Sequence, residues 1–117
     1  MIIRLIVHIA LGLYFLVPVL SWAQGQSSNA NAEVNTIFIK DHQFNPPQLT
    51  IPANKKVQIT VVNQDPTPEE FESFDLDREQ VVEGNKKIIV FIGTLKPGTY
   101  KYWDDYHQDS KGVIVAQ

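Results

Sequence analysis

From about residue 33 onward, apolar and polar positions alternate with a period of two, and turn residues interrupt the alternation at short intervals. Ile37 and Ile39 alternate with Thr36, Phe38 and Lys40, which predicts a first strand. Phe44, Leu49 and Ile51 flank Asn45-Pro46-Pro47, an extended corner where proline cannot donate to a ladder. Val57, Ile59 and Val61 alternate with Gln58, Thr60 and Val62 after an Asn54-Lys55-Lys56 turn. Ile88, Val90 and Ile92 form another such run, between Glu83-Gly84-Asn85 and Gly93. Tyr100 and Tyr102 alternate with Lys101 and Trp103 after the Pro97-Gly98 turn, and Val113 and Val115 follow Gly112. None of these segments sustains a 3.6-residue period. Short strands with regular turn signals predict an all-β fold, an antiparallel Greek-key β-sandwich.

The N-terminus has a different pattern. Arg4 precedes an apolar run from Leu5 to Leu20 that only His8 interrupts, and Ser21-Trp22-Ala23 places small residues at −3 and −1 of a cleavage site. This is the layout of a secretory signal, and the run is short for a membrane span of roughly 20 residues. The expected organisation is a cleaved signal over residues 1–23, a small, polar, flexible lead over 24–33, and one domain over 34–117. The expected location is the periplasm, with no membrane span left after cleavage.

Charge and composition narrow the chemistry. The chain has 117 residues, a formal charge of −3 and no cysteine. Without Cys there is no disulfide, thiolate zinc site, iron–sulfur cluster or Cys nucleophile. An acidic chain without clustered Lys and Arg is not built for nucleic acid. All acidic residues except Glu33 and Asp41 fall in two segments, Asp65 to Glu83 and Asp104 to Asp109. The first resists a strand reading. If the two segments meet at one end of a sandwich, their carboxylates repel, and protons, basic partners or a cation must offset the repulsion. The lysines sit instead in turn pairs, Lys55-Lys56 and Lys86-Lys87, so a cation is a reasonable hypothesis. Oxygen ligands with an imidazole suit iron, cupric copper or manganese.

Ordinary roles stand beside this one. Acidic loops are commonly solvated surface, and a lone histidine is commonly a surface or hydrogen-bonded residue. His107 rises above that background because Asp104, Asp105 and Asp109 surround it, whereas His42 beside Asp41 gains little. Tyr100, Tyr102, Trp103 and Tyr106 read as core and rim, and Phe71 and Phe74 as core plugs. No phosphate loop or nucleophile elbow occurs, and Ser73 and Ser110 sit in no nucleophile motif.

Asn63-Gln64-Asp65 at a strand end, and Pro97-Gly98-Thr99-Tyr100 leading through Trp103-Asp104-Asp105-Tyr106-His107 to Gly112-Val113-Ile114-Val115, resemble the cupredoxin fold. In that family a Cys-x-x-His-x-x-Met loop supplies copper ligands. Aligned on Tyr100, its Cys falls on Asp104, its His on His107 and its Met on Ser110, with the first ligand near Glu69 or Glu70. The thiolate and thioether are gone, so the resemblance excludes a blue-copper electron carrier. Glu69-Glu70-Phe71-Glu72-Ser73, Arg78-Glu79-Gln80-Val81-Val82 and Leu95-Lys96-Pro97-Gly98-Thr99-Tyr100 are similar to periplasmic cupredoxin-like components of bacterial ferrous-iron uptake.

That narrower resemblance implies a copper or iron site, holding Cu(II) and/or Fe(II)/Fe(III). Its ligands would be Glu70, Glu79, Asp104 and His107, with Glu69, Glu72, Asp105 and His42 in reserve. It also implies a part in ferrous iron oxidation, as a ferroxidase component, and delivery to an iron permease beside a P19-type periplasmic protein. Strand alternation leaves two registers open, with Glu70 and Glu72 facing the site or Glu69 facing it. The alternative function is a non-metal interaction module that docks on a membrane partner.

Overall fold

A computed structural model describes residues 35–117. The expected signal, residues 1–23, and the whole flexible lead, residues 24–33, lie outside the described residues. The described chain forms nine strands: β1 (Thr36–Lys40), β2 (Gln43–Asn45), β3 (Gln48–Ile51), β4 (Val57–Asn63), β5 (Glu69–Ser73), β6 (Arg78–Val82), β7 (Lys87–Ile92), β8 (Gly98–Trp103) and β9 (Lys111–Ala116). They build a four-stranded sheet, in the order β2-β1-β4-β7, and a five-stranded sheet, in the order β3-β9-β8-β5-β6. No helix among the described residues is long and apolar enough to cross a membrane.

The period-two alternation becomes the packing. Ile37, Ile39, Ile59, Val61 and Val90 from the first sheet are buried against Leu49, Phe71, Val82, Tyr102 and Ile114 from the second. In β9 the inward residues are Gly112, Ile114 and Ala116, while Val113 and Val115 are half-buried on the other face. Gly112 is required by contact: a Cβ there would lie 2.2 Å from the Tyr102 ring and hydroxyl.

Three expectations are corrected. The sheets are mixed rather than wholly antiparallel, because β1 pairs parallel with β4 and β3 pairs parallel with β9. Alternation reports which face a residue takes, not the direction of its neighbour, and each parallel pair joins strands whose connecting chain passes through the opposite sheet. The acidic stretch that resisted a strand reading forms the hairpin β5–β6. Phe71 fills the core as expected, but Phe74 is 78 % exposed and packs edge-on against Trp103 with ring centroids 4.7 Å apart.

The Pro46-Pro47 corner carries the chain from β2 in one sheet to β3 in the other. Phe44, Phe71 and Tyr102 then form an aromatic trio, with Tyr102 at 4.9 Å from Phe44 and 5.0 Å from Phe71. Each of the three lies two residues from a polar group at one end of the sandwich: His42, Glu69 and Asp104. That end carries the chemistry.

Candidate metal centre

The first support of the site is a turn. β1 and β2 are joined by the two residues Asp41 and His42, both left-handed, with φ of 51° and 59°. Such a turn suits the twist of a hairpin but costs a non-glycine residue energy, so something must hold it. Buried Asp65 does, its carboxylate accepting the Asp41 N–H at 2.9 Å and the His42 N–H at 2.8 Å. Asp65 is itself placed by Asn63, whose Oδ1 accepts the Asp65 N–H at 2.9 Å. The Asn63 amide also donates to the carbonyls of Thr67, Val82 and Glu83. The end of β4 thereby fixes the direction of the His42 side chain.

β5 supplies the centre. Glu69 is fully buried and lies on the inward face with Phe71 and Ser73. Its carboxylate bridges two imidazoles: Oε1 is 2.5 Å from His42 Nδ1 and Oε2 is 2.8 Å from His107 Nδ1. The two rings stack with centroids 3.7 Å apart and planes 18° from parallel. His107 comes from a compact loop in which the Asp104 N–H donates to the Ser110 carbonyl, and the N–H groups of His107 and Ser110 donate to the carbonyls of Asp104 and His107. Asp104 is also fully buried, and its Oδ1 accepts the N–H groups of Glu70 at 3.0 Å and Tyr106 at 2.9 Å. Its Oδ2 has no hydrogen-bond partner and lies 3.5 Å from His107 Nδ1. Ser110 Oγ is buried and unpaired beside them in the chain.

The electrostatics follow from this crowding. Burial is the largest influence on Glu69 and, with the neighbouring Asp104 carboxylate, raises its pKa above 4.5 against the opposing pull of the two imidazoles. The hydrogen bond to Glu69 raises the pKa of His42 above 6.5, with the charges of Glu69, Asp65 and Asp104 adding to it. Burial pushes Asp65 upward, but the backbone donors of His42 and Asp41 outweigh it and hold its pKa below 3.8. Glu69, Asp104 and the two imidazoles form a cluster that must be neutralised by protons or by a cation.

One donor set combines imidazoles with a buried carboxylate and fits a metal. His42, Glu69 and His107 each present a ligand atom, and these atoms lie within 4.8 Å of one another. Asp104 Oδ2 is the orphaned oxygen behind them. Side chains of the two histidines are 42 % and 38 % exposed, so the imidazole side of the cluster meets solvent while the carboxylates sit beneath. Two imidazoles with carboxylate oxygens suit Cu(II), iron or manganese and lack the thiolate of a blue-copper centre.

The ligand set expected from sequence divides across β5. Asp104 and His107 sit in the inward cluster, together with Glu69 and His42 from the reserves. Glu70 and Glu72 take the outward face, where their carboxylates meet Asp105, and Glu79 lies across the β5–β6 ladder opposite Glu72. Burial first, then the charges of Glu79, Asp105 and Glu72, raises the Glu70 pKa. Of the two registers left open, the structure has Glu69 facing inward. The supporting roles of Asn63 and Asp65 were not legible as function, although an Asn-x-Asp at a strand end is a pattern that binds backbone turns.

Comparisons with known proteins agree with this architecture. A model of the Cupredoxin-like domain family matches residues 12–116. An uncharacterised protein of Rickettsia prowazekii (strain Madrid E) is 40 % identical over 90 residues, covering 76 % of this chain and 72 % of the relative. Among solved structures, the purple cupredoxin of Nitrosopumilus maritimus superposes with a TM-score of 0.57 at 18 % identity, covering 70 % of this chain and 98 % of that one. Amicyanin of Paracoccus versutus superposes at 0.58 and 18 % identity, covering 70 % and 79 %. A reduced Cu(I) form of an amicyanin variant superposes at 0.59 and 15 % identity, covering 70 % and 80 %. The chain belongs to the cupredoxin-like domain family.

Proposed function

We propose that this cupredoxin-like chain binds a metal ion at His42, Glu69 and His107, with Asp104 behind them, and acts in the periplasm in the handling of ferrous iron. The observation that carries the reading is a fully buried carboxylate bridging two half-exposed imidazoles above an unpaired aspartate oxygen. The expected ion is Cu(II) or iron, because oxygen donors with imidazole suit both, and iron held there would be stabilised as Fe(III), which would favour loss of an electron from bound Fe(II) to an acceptor such as dioxygen.

The chain's own residues have separable tasks. Glu69 aligns both Nδ1 atoms toward one point. Asp65 holds the Asp41-His42 turn so that His42 cannot swing away. The 104–110 loop sets His107 and keeps Asp104 dry. A cation held here would compete with protons at His42 and Glu69, so binding would strengthen as pH rises. Support for export is the Arg4, Leu5–Leu20 and Ser21-Trp22-Ala23 pattern. Support for ferrous iron oxidation, delivery to an iron permease and a P19-type partner is the resemblance of segments 69–73, 78–82 and 95–100.

Calorimetric titration of metal-free protein with Cu(II) and Fe(III) tests the centre. His42→Ala and His107→Ala each weaken binding by about tenfold or more. Unchanged affinity in both variants refutes the centre. Protein purified from the periplasm without transition metal, and unable to bind any, would instead favour the docking-module reading. Fe(II) oxidation by the loaded protein, faster than by the same metal free in solution, supports the iron role, and equal rates contradict it.

A further inference from the structure

The outward face of the four-stranded sheet is apolar and basic. Its inward residues, among them Ile37, Ile39, Ile59, Val61 and Val90, fill the core, so strand alternation turns Phe38, Val62, Ile89 and Phe91 to the other side. The pairing register gathers them on one surface: Phe38 is level with Val62, Val62 with Lys87, Thr60 with Ile89 and Gln58 with Phe91. Phe38 is 37 %, Ile89 44 % and Phe91 67 % exposed. Three large apolar side chains grouped on one sheet face mark a contact surface, which singly scattered ones do not.

The charge on this face has one sign. β1, β2, β4 and β7 contain two charged residues, Lys40 and Lys87, both exposed, and no acid. Lys40 follows Phe38 by two residues on the same face, and no ion pair among the described residues uses either lysine. Arg78 donates to the Phe91 carbonyl at 3.2 and 2.9 Å, which brings a third positive charge to the β7 edge. Asp41 and Asp65, the acids beside Lys40, belong to the β1–β2 turn and its support. The acids carried by strands, Glu69, Glu70, Glu72 and Glu79, all lie in the five-stranded sheet. A chain of net charge −3 thus keeps a basic, apolar face apart from its acids.

Whatever covers such a face must combine negative charge with apolar depth. A second copy packed through the same face would set lysines against lysines. Residues 24–34, which precede the described domain, offer only Ala30, Ala32 and Val34 as apolar side chains and Glu33 as an acid. A bilayer containing anionic phospholipid supplies both chemistries: phosphate for the ammonium groups, and an interface into which the rings can sink. We infer that the outward face of β1, β4 and β7 docks on an anionic phospholipid surface. Lys40 lies two residues from His42, so the contact sets the imidazole cluster beside that surface. It uses none of the metal ligands and stands or falls apart from the proposed centre.

Flotation of protein purified from the periplasm with lipid vesicles tests the inference. Vesicles of phosphatidylglycerol and phosphatidylcholine in equal parts should carry the protein at low salt, and phosphatidylcholine alone should not. Added salt should release it, because exposed lysines are screened. Lys40→Gln combined with Lys87→Gln should weaken binding about tenfold or more, and Phe91→Ser about fivefold, each with unchanged far-UV circular dichroism. Lys101→Gln combined with Lys111→Gln, on the other sheet, should leave it within about threefold. No binding to the anionic vesicles, equal binding to neutral ones, or indifference to either the Lys40 and Lys87 pair or Phe91 overturns the inference. A loss in the Lys101 and Lys111 variant equal to that in the Lys40 and Lys87 variant overturns it too, by placing the contact on the other sheet. Absence of vesicle binding together with self-association that Phe91→Ser abolishes, or with lysine-dependent binding to polyglutamate, gives the face to a second copy or to an acidic protein and likewise overturns it.

Discussion

Glu69 and Glu70 are neighbours on one strand and live in opposite chemical settings. Glu69 faces the interior, is fully buried and has an imidazole on each oxygen. Glu70 faces outward, is nearly as buried and meets only other carboxylates. Both have raised pKa values, with burial the largest cause in each case. The secondary influences differ: for Glu69 imidazoles oppose the rise, whereas for Glu70 four further acids, Glu79, Asp105, Glu72 and Asp104, reinforce it. The same residue type thus joins a mixed nitrogen–oxygen donor cluster on one face and a group of carboxylates on the other. Strand alternation alone separates these two electrostatic settings by one residue.

The sharpest way to break that comparison is to exchange carboxylate for amide on each face. Glu69→Gln should lower Cu(II) affinity about a hundredfold, roughly 2.7 kcal/mol, while Glu70→Gln changes it by less than about threefold. Calorimetry on the two proteins checks this, and equal losses would mean that both faces of β5 contribute to one ion. A smaller effect is expected at the support of the inner site. Asp65→Ala leaves the Asp41 and His42 N–H groups without their acceptor, so it should cost about 2 kcal/mol in urea unfolding. The same variant should weaken Cu(II) about tenfold.

The pH dependence of metal-free protein sharpens the comparison further. Glu69, Glu70 and Glu72 are raised above 4.5, and His42 is raised above 6.5. Each therefore holds more proton in the folded than in the unfolded state over the window above its ordinary value. By linkage, stability falls as pH rises through that window. His42 contributes stability that is complete below 6.5 and lost as pH climbs through its folded value. The buried glutamates add a penalty that begins near 4.5 and grows upward. Asp65 runs the other way: its lowered pKa gives stability above 3.8 that is lost on acidification. The urea midpoint should be higher at pH 5 than at pH 8, and Glu69→Gln or Glu70→Gln should flatten the slope. With Cu(II) bound the slope should weaken or reverse, because binding expels protons.

A neutral unpaired group gives the smallest effect and a useful contrast. The Tyr102 hydroxyl is buried without a partner, and burial alone raises its pKa. Tyr102→Phe removes that hydroxyl without changing shape, and should alter stability by about 1 kcal/mol or less, in the stabilising direction. A large loss in the same urea measurement would mean that the hydroxyl has a role beyond packing over Gly112.

The strands that carry the core were legible because burial in β1, β4 and β7 follows apolar alternation. β5 was not, because hydropathy counts Glu as surface, and Glu69 is buried only through imidazoles 27 and 38 residues away in the chain. His107 stood out amid its aspartates. His42 did not, since its value depends on a left-handed turn and on Asp65, which local pattern does not connect. Strand direction escaped for a similar reason: pairing β1 with β4 is decided by the path through β2 and β3, not by residues within either strand.

The central claim is that two imidazoles flanking Glu69 hold one ion. Electron paramagnetic resonance of the Cu(II)-loaded chain tests it most directly. The account predicts a thiolate-free Cu(II) spectrum with coupling to two imidazole nitrogens, reduced to one in His42→Ala and in His107→Ala. Nitrogen coupling that is unchanged in both variants, or absent from the parent protein, would contradict it.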